Sequence, residues 1–188
     1  MLSDREQALR AMLNDPDDEV RKAVAEALEK VEAGMQLDRI IETLKSDNRA
    51  FKARAMLALG NIHSEQAFPP LIQMLNDPDA NMRGLSLQVL GQKKNPKALM
   101  HIGKHLKDPD ASVRVHAADA LGNFPDKRLV PHLAALIANE DDALACSALR
   151  SLGLIGVPES EEPILKALQD SRASVRRAAA SALAELEV

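Results

Sequence analysis

The sequence predicts an all-α chain built as an α-solenoid of six 31-residue helix-pair repeats. Two observations carry this. Leu13-Asn-Asp-Pro-Asp-Asp-Glu-Val20-Arg21 returns as Leu75-Asn-Asp-Pro-Asp-Ala-Asn-Met82-Arg83 and as Leu106-Lys-Asp-Pro-Asp-Ala-Ser-Val113-Arg114, with weaker copies from Leu44, Ile137 and Leu168. Two further columns keep the same spacing: Val20, Phe51, Met82, Val113, Leu144, Val175 and Leu28, Leu59, Leu90, Leu121, Leu152, Leu183. An ungapped period in the 20–50 range marks a solenoid. Six such units fill all but two of the 188 positions, so 1–188 reads as one domain. The units fall near 1–33, 34–64, 65–95, 96–126, 127–157 and 158–188. No segment alternates in the manner of a strand.

Within each unit the elements follow in order. A first helix carries apolar residues at helical spacing, as in Leu37, Ile40, Ile41, Leu44 or Phe68, Leu71, Ile72, Leu75. It stops at a short turn where positions 15, 46, 77, 108, 139 and 170 are all N-cap residue types. The column two residues later is also mostly Asp or Asn, and either can be the cap. The second helix buries a stripe such as Val20, Val24, Ala27, Leu28, Val31. Gly60, Gly91, Gly122 and Gly153 then read as left-handed C-caps. Ala27, Ala58, Ala120 and Ala182 mark a close helix crossing. In the first helix Glu6 and Arg10 replace apolar Leu37 and Ile41, which fits a cap turned to water. The last helix, Ser174 to Leu186, reads as a weak cap or a docking end.

Composition narrows the functions. Trp and Tyr are absent and Phe occurs three times, which removes aromatic stacking platforms for bases and sugars. The net charge of −4 points away from nucleic acid. A single Cys and a start, Met-Leu-Ser-Asp-Arg-Glu, without a signal pattern lead to the expectation of a cytoplasmic chain with no membrane partner.

Asp108-Pro109-Asp110-Ala-Ser-Val113-Arg114, followed by Ala117-Ala118-Asp119-Ala120-Leu121-Gly122, resembles the HEAT-like repeats of the phycobilisome lyase type. The resemblance covers the whole chain and implies a right-handed, armadillo-like superhelix. Its first helices would lie outside and its second helices would line a concave face. The repeat type serves many roles, so it does not fix an activity. It does raise a phycobilin lyase-like or chromophore-handling subunit as an alternative.

Arg21, Lys52, Arg83, Arg114 and Arg176 form either an anion-binding ladder or a structural ladder on the turn carboxylates, and their repetition beside Asp favours structure. Helical phase turns Leu57, Gln88, Val115, Asp119, Cys146 and Arg150 away from the core, with Met56, Leu87 and Leu149 at the groove edge. Packing between neighbouring second helices is the favoured reading of those three, and Asp119 and Arg150 can pair with each other. An apolar centre with charged ends suits a protein or peptide partner in the groove. His101 and His105, four apart, and His132 form a weak metal set with no carboxylate or thiol to complete it. Lys93, Lys94, Lys97, Lys104 and Lys107 form a basic run that is either a solvated face or a docking patch for an acidic partner or RNA. No phosphate-loop, zinc-protease or nucleophile-elbow motif occurs, so no catalytic residue and no cofactor is expected.

Overall fold

The computed structural model describes residues 4–186, and the opening Met1-Leu2-Ser3 lies outside them. The described residues form helices α1 (Asp4–Ala11), α2 (Asp18–Thr43), α3 (Arg49–Asn61), α4 (Phe68–Met74), α5 (Ala80–Lys93), α6 (Leu99–Lys104), α7 (Ala111–Leu121), α8 (Val130–Ile137), α9 (Asp142–Ile155), α10 (Glu161–Ala167) and α11 (Ala173–Glu185). No strand occurs among them, and none of these helices is long and apolar enough to cross a membrane. The described residues are therefore all-α, as expected. The helices group into two compact units, Met1–Leu59 and Gly60–Val188.

In Gly60–Val188 the second helices α5, α7, α9 and α11 pack side by side in chain order. Each first helix, α4, α6, α8 or α10, packs on the second helix of its own pair. The core is made of columns 31 residues apart. Leu71, Ile102, Leu133 and Ile164 are sealed, as are Leu90, Leu121 and Leu152. Each such side chain contributes roughly 1.5–3 kcal/mol.

The turns answer the capping question by using both columns. Asp77, Asp108, Asn139 and Asp170 accept from the backbone N–H two residues on, at 2.9, 3.0, 2.9 and 2.8 Å. Asp79, Asp110 and Asp141 then cap α5, α7 and α9.

The glycines do not do what was expected of them. Gly60, Gly91 and Gly153 lie inside helices, and Gly122 ends α7 with an ordinary right-handed φ of −59°. Only Lys94 and Gly156 have positive φ among the described residues. The glycine column instead permits close approach. A Cβ on Gly91 would meet Ala120 Cα at 3.0 Å, one on Gly122 would meet Ser151 Cα at 2.9 Å, and one on Gly153 would meet the Ala182 carbonyl oxygen at 2.8 Å. Glycine on one second helix thus receives the small column of the next.

Met1–Leu59 departs from the expected pattern. The first unit should end near residue 33 with a break, yet α2 runs unbroken for 26 residues, about 39 Å. Residue chemistry explains it. In later units the link between the helices holds glycine and a capping residue, Ser64, Asn95 or Asp126, before the next short turn. Here the link is Glu29-Lys30-Val31-Glu32-Ala33, with mostly good helix formers and no cap. The first helix turns Arg10 to water but not Glu6. Glu6 is only 4% exposed. Arg10 lies 3.1 Å from Glu6 and 2.5 Å from Glu32, tying α1 to α2.

Candidate functional site: the face of the second helices

The Arg ladder belongs to the scaffold. Arg83 donates to the carbonyls of Asp77 and Pro78 at 3.0 and 3.2 Å, Arg114 to those of Asp108 and Pro109 at 3.0 and 3.2 Å, and Arg176 to those of Asp170 and Ser171 at 2.7 and 2.8 Å. Arg21 holds the carbonyls of Asp15 and Pro16 at 2.6 and 3.0 Å. Each guanidinium braces the turn before its own helix.

Arg83 also reaches the next turn, gripping Asp108 in a two-pronged pair at 2.9 and 2.7 Å. His105 Nδ1 lies 3.2 Å from the same carboxylate. Burial pushes the Asp108 carboxyl up, but Arg83, the Asp110 amide and His105 together outweigh it and hold it at about 2. His105 is thus spent on Asp108, and His132 stands exposed one repeat away. No group of three or more His, Cys, Asp or Glu among the described residues is placed to hold a metal, so His101, His105 and His132 do not form the set considered from sequence.

The basic run is also partly consumed. Lys93 donates to the Gly60 and Ile62 carbonyls at 3.2 and 2.6 Å, and burial pushes its pKa down. Lys97 pairs with Glu65 at 2.9 Å.

The predicted groove residues divide. Met56, Leu87 and Leu149 are 0% exposed, so they are core and offer nothing to a partner. Leu57 stands exposed in the Met1–Leu59 unit. In Gly60–Val188, Gln88 and Arg150 are exposed while Val115, Asp119 and Cys146 are half-buried. Asp119 accepts from Arg150 at 2.6 Å and from Ser147 Oγ at 2.6 Å, so the anticipated pairing between adjacent repeats forms. Cys146 and Arg150 meet Leu154, Arg177, Ser181 and Glu185 around a cleft of about 460 Å³ between α9 and α11. Burial, with Asp142 nearby, pushes the Cys146 thiol up, which keeps it protonated and a poor nucleophile near neutral pH.

Two features escaped the sequence reading. Leu154 is 54% exposed one turn beyond Arg150, where the same helical phase carried one turn further would have found it. The second is a cleft of about 840 Å³ between the first helices α8 and α10, walled by Pro131, Ala134, Ala138, Pro163 and Ala167. Lys127, Glu159, Glu162 and Lys166 also line it.

Comparison with known proteins fits this geometry. A family model described as HEAT repeats matches residues 6–80, 37–102, 68–145 and 130–187. A search of the curated proteins finds no match. Among solved structures, the chain is similar to one in the complex of CpcE and CpcF of phycocyanin lyase from Nostoc sp. PCC7120. The TM-score is 0.66 at 26% identity, over 80% of this chain and 64% of that one, so the chain spans less than two thirds of that relative's length. It is also similar to YibA of Escherichia coli, with a TM-score of 0.63 at 22% identity over 97% of this chain and 70% of that one. A designed armadillo repeat protein in complex with a (KR)4 peptide gives 0.59 at 16% identity, over 98% and 100%. The latter two share the fold alone.

Proposed function

We propose that this chain, which belongs to the HEAT-repeat family, is a non-enzymatic scaffold holding a protein or peptide on the face of its second helices. One observation carries the reading. The turn charges of Gly60–Val188 are largely consumed by internal bonds, while Gln88, Val115, Cys146, Arg150 and Leu154 stay at least partly open. An uncovered mixture of apolar, amide and guanidinium groups is the composition of a protein-binding surface. The residues 1–188 work as one array of six repeats in this reading, in the cytoplasm, with the second helices lining the concave groove that the resemblance implies. The acidic balance argues against nucleic acid as the partner.

The test is a Val115→Asp, Leu154→Asp double variant with helicity matched to wild type. A partner captured by the wild type should bind the variant at least tenfold more weakly by calorimetric titration, about 1.4 kcal/mol. Equal binding contradicts the reading.

The likeness to the phycocyanin lyase complex supports a second reading, a chromophore-handling subunit. Incubation with a free bilin separates the two. A shifted absorbance band lost in the double variant supports chromophore handling, and an unchanged spectrum dismisses it.

A further inference from the structure

We infer that α2 is a hinge, poised between the straight helix observed and a helix–turn–helix that stacks the first repeat on the second. Three observations meet at its middle. The first is register. Gly34 stands 31, 62, 93 and 124 residues before Glu65, Pro96, Lys127 and Pro158, each the first residue of the short 3-10 turn that opens a first helix. The chain therefore has its repeat joint at Gly34, and there α2 continues as helix.

The second is the glycine itself. Glycine inside a helix costs about 0.5–1 kcal/mol relative to alanine. Gly91 in α5 and Gly153 in α9 are required by backbone atoms 3.0 and 2.8 Å from a would-be Cβ, whereas Gly103 in α6, away from any repeat joint, has open space. At Gly34 nothing lies within 4 Å. No close approach calls for glycine there, and its remaining physical effect is to weaken the helix at the joint.

The third is what the straight form leaves open. Phe51 is 49% exposed, although its counterparts Met82, Val113, Leu144 and Val175 are buried. Leu13 is exposed at 37%, whereas in its column Leu44 and Leu75 are buried and Leu106, Ile137 and Leu168 are half-buried. In the later repeats the neighbouring helix pair supplies this cover. The occupant that fits is thus the chain's own first repeat, folded back at Glu32-Ala33-Gly34. Two residues keep that closed form from winning outright. Ala33 stands where Ser64, Asn95 and Asp126 cap the next turn, and Glu29 stands in the column that glycine occupies in later repeats. The straight form exposes the Leu13 and Phe51 surfaces, and the closed form hides them. The device would switch an apolar surface on and off without any change in the second unit.

The experiment places spin labels at Asn14→Cys and Lys45→Cys in the full chain, with Cys146→Ser to remove the native thiol. The two sites lie beyond opposite ends of α2, about 40 Å apart when it is straight. Stacking of adjacent repeats would bring them to roughly 10–15 Å. Dipolar broadening of the continuous-wave spectrum should show the short population and pulsed dipolar distances the long one. Gly34→Ala, which fits in the open space, should leave only the long one. Ala33→Asp with Gly34→Pro, which supplies a cap and a first-turn proline, should leave the short one. A wild-type distribution holding only the long distance, the same as Gly34→Ala, overturns the hinge. A short distance that disappears on dilution with unlabelled chain assigns the cover to a second copy and equally overturns it.

Discussion

The units Met1–Leu59 and Gly60–Val188 carry the same 31-residue pattern and use it differently. In the second, glycine faces alanine or serine across each joint from α5 to α11, an Asp turn caps α5, α7 and α9, and Arg83 ties one repeat to the next. In the first, the caps Asp17 and Asn48 are present, but Glu29 replaces the glycine and no residue stops α2. Repeated hydrophobic columns are therefore insufficient to stack repeats. The joint residues decide whether two helices form or one.

The largest expected effect lies where the second unit is most tightly tied. Asp108→Ala should destabilise Gly60–Val188 by about 3–5 kcal/mol, because Arg83 loses its buried partner. Chemical denaturation read by hydrogen exchange within that unit measures it, and Met1–Leu59 should exchange unchanged. The same carboxylate sets an acid dependence. Its pKa is depressed from 3.8 to about 2, so its contribution is complete above pH 3.8 and lost as pH falls towards 2. That loss amounts to about 2 kcal/mol in the wild type and should be absent from the Asp108→Ala variant.

Next comes the glycine column. Gly153→Ala should cost about 1–3 kcal/mol, since its Cβ would enter the space of the Ala182 backbone. A cap variant follows, Asp110→Ala, with a cost near 1 kcal/mol. The smallest effect has the opposite sign. Gly34→Ala should stabilise the first unit by about 0.5–1 kcal/mol, gaining helix propensity without a clash. Urea midpoints of Gly153→Ala and Gly34→Ala moving in the same direction would undo the contrast between the two units.

Much of this was legible in the sequence, for reasons that can be named. Hydrophobic spacing gave the helix pairs of Gly60–Val188 because burial follows the 3.6-residue period, as Leu71, Ile102, Leu133 and Ile164 show. The Arg column read as structural because each cation recurs beside a carboxylate turn. The role of the glycines was not legible. Glycine satisfies a left-handed cap and a close crossing equally well, and only the neighbouring helix distinguishes them. α2 runs across the unit boundary near residue 33 because Glu29 and Ala33, the residues that keep it whole, lie outside the apolar columns that carry the period. In the site, phase alone separated exposed Gln88 from its buried neighbour Leu87 only loosely, since one position turns a helix by about 100°. The cleft between α8 and α10 depends on side-chain volume missing from two walls, which no single column displays.

The central claim is that the face of the second helices binds the partner. Photo-crosslinking tests it most directly, with a benzoylphenylalanine placed in turn at Gln88 and Leu154 on that face and at Met100 and Leu165 on the first helices, which are also exposed. One partner protein should be crosslinked from Gln88 and Leu154 and none from Met100 or Leu165. Crosslinks confined to Met100 and Leu165 would contradict it and place binding on the first-helix side, beside the cleft between α8 and α10.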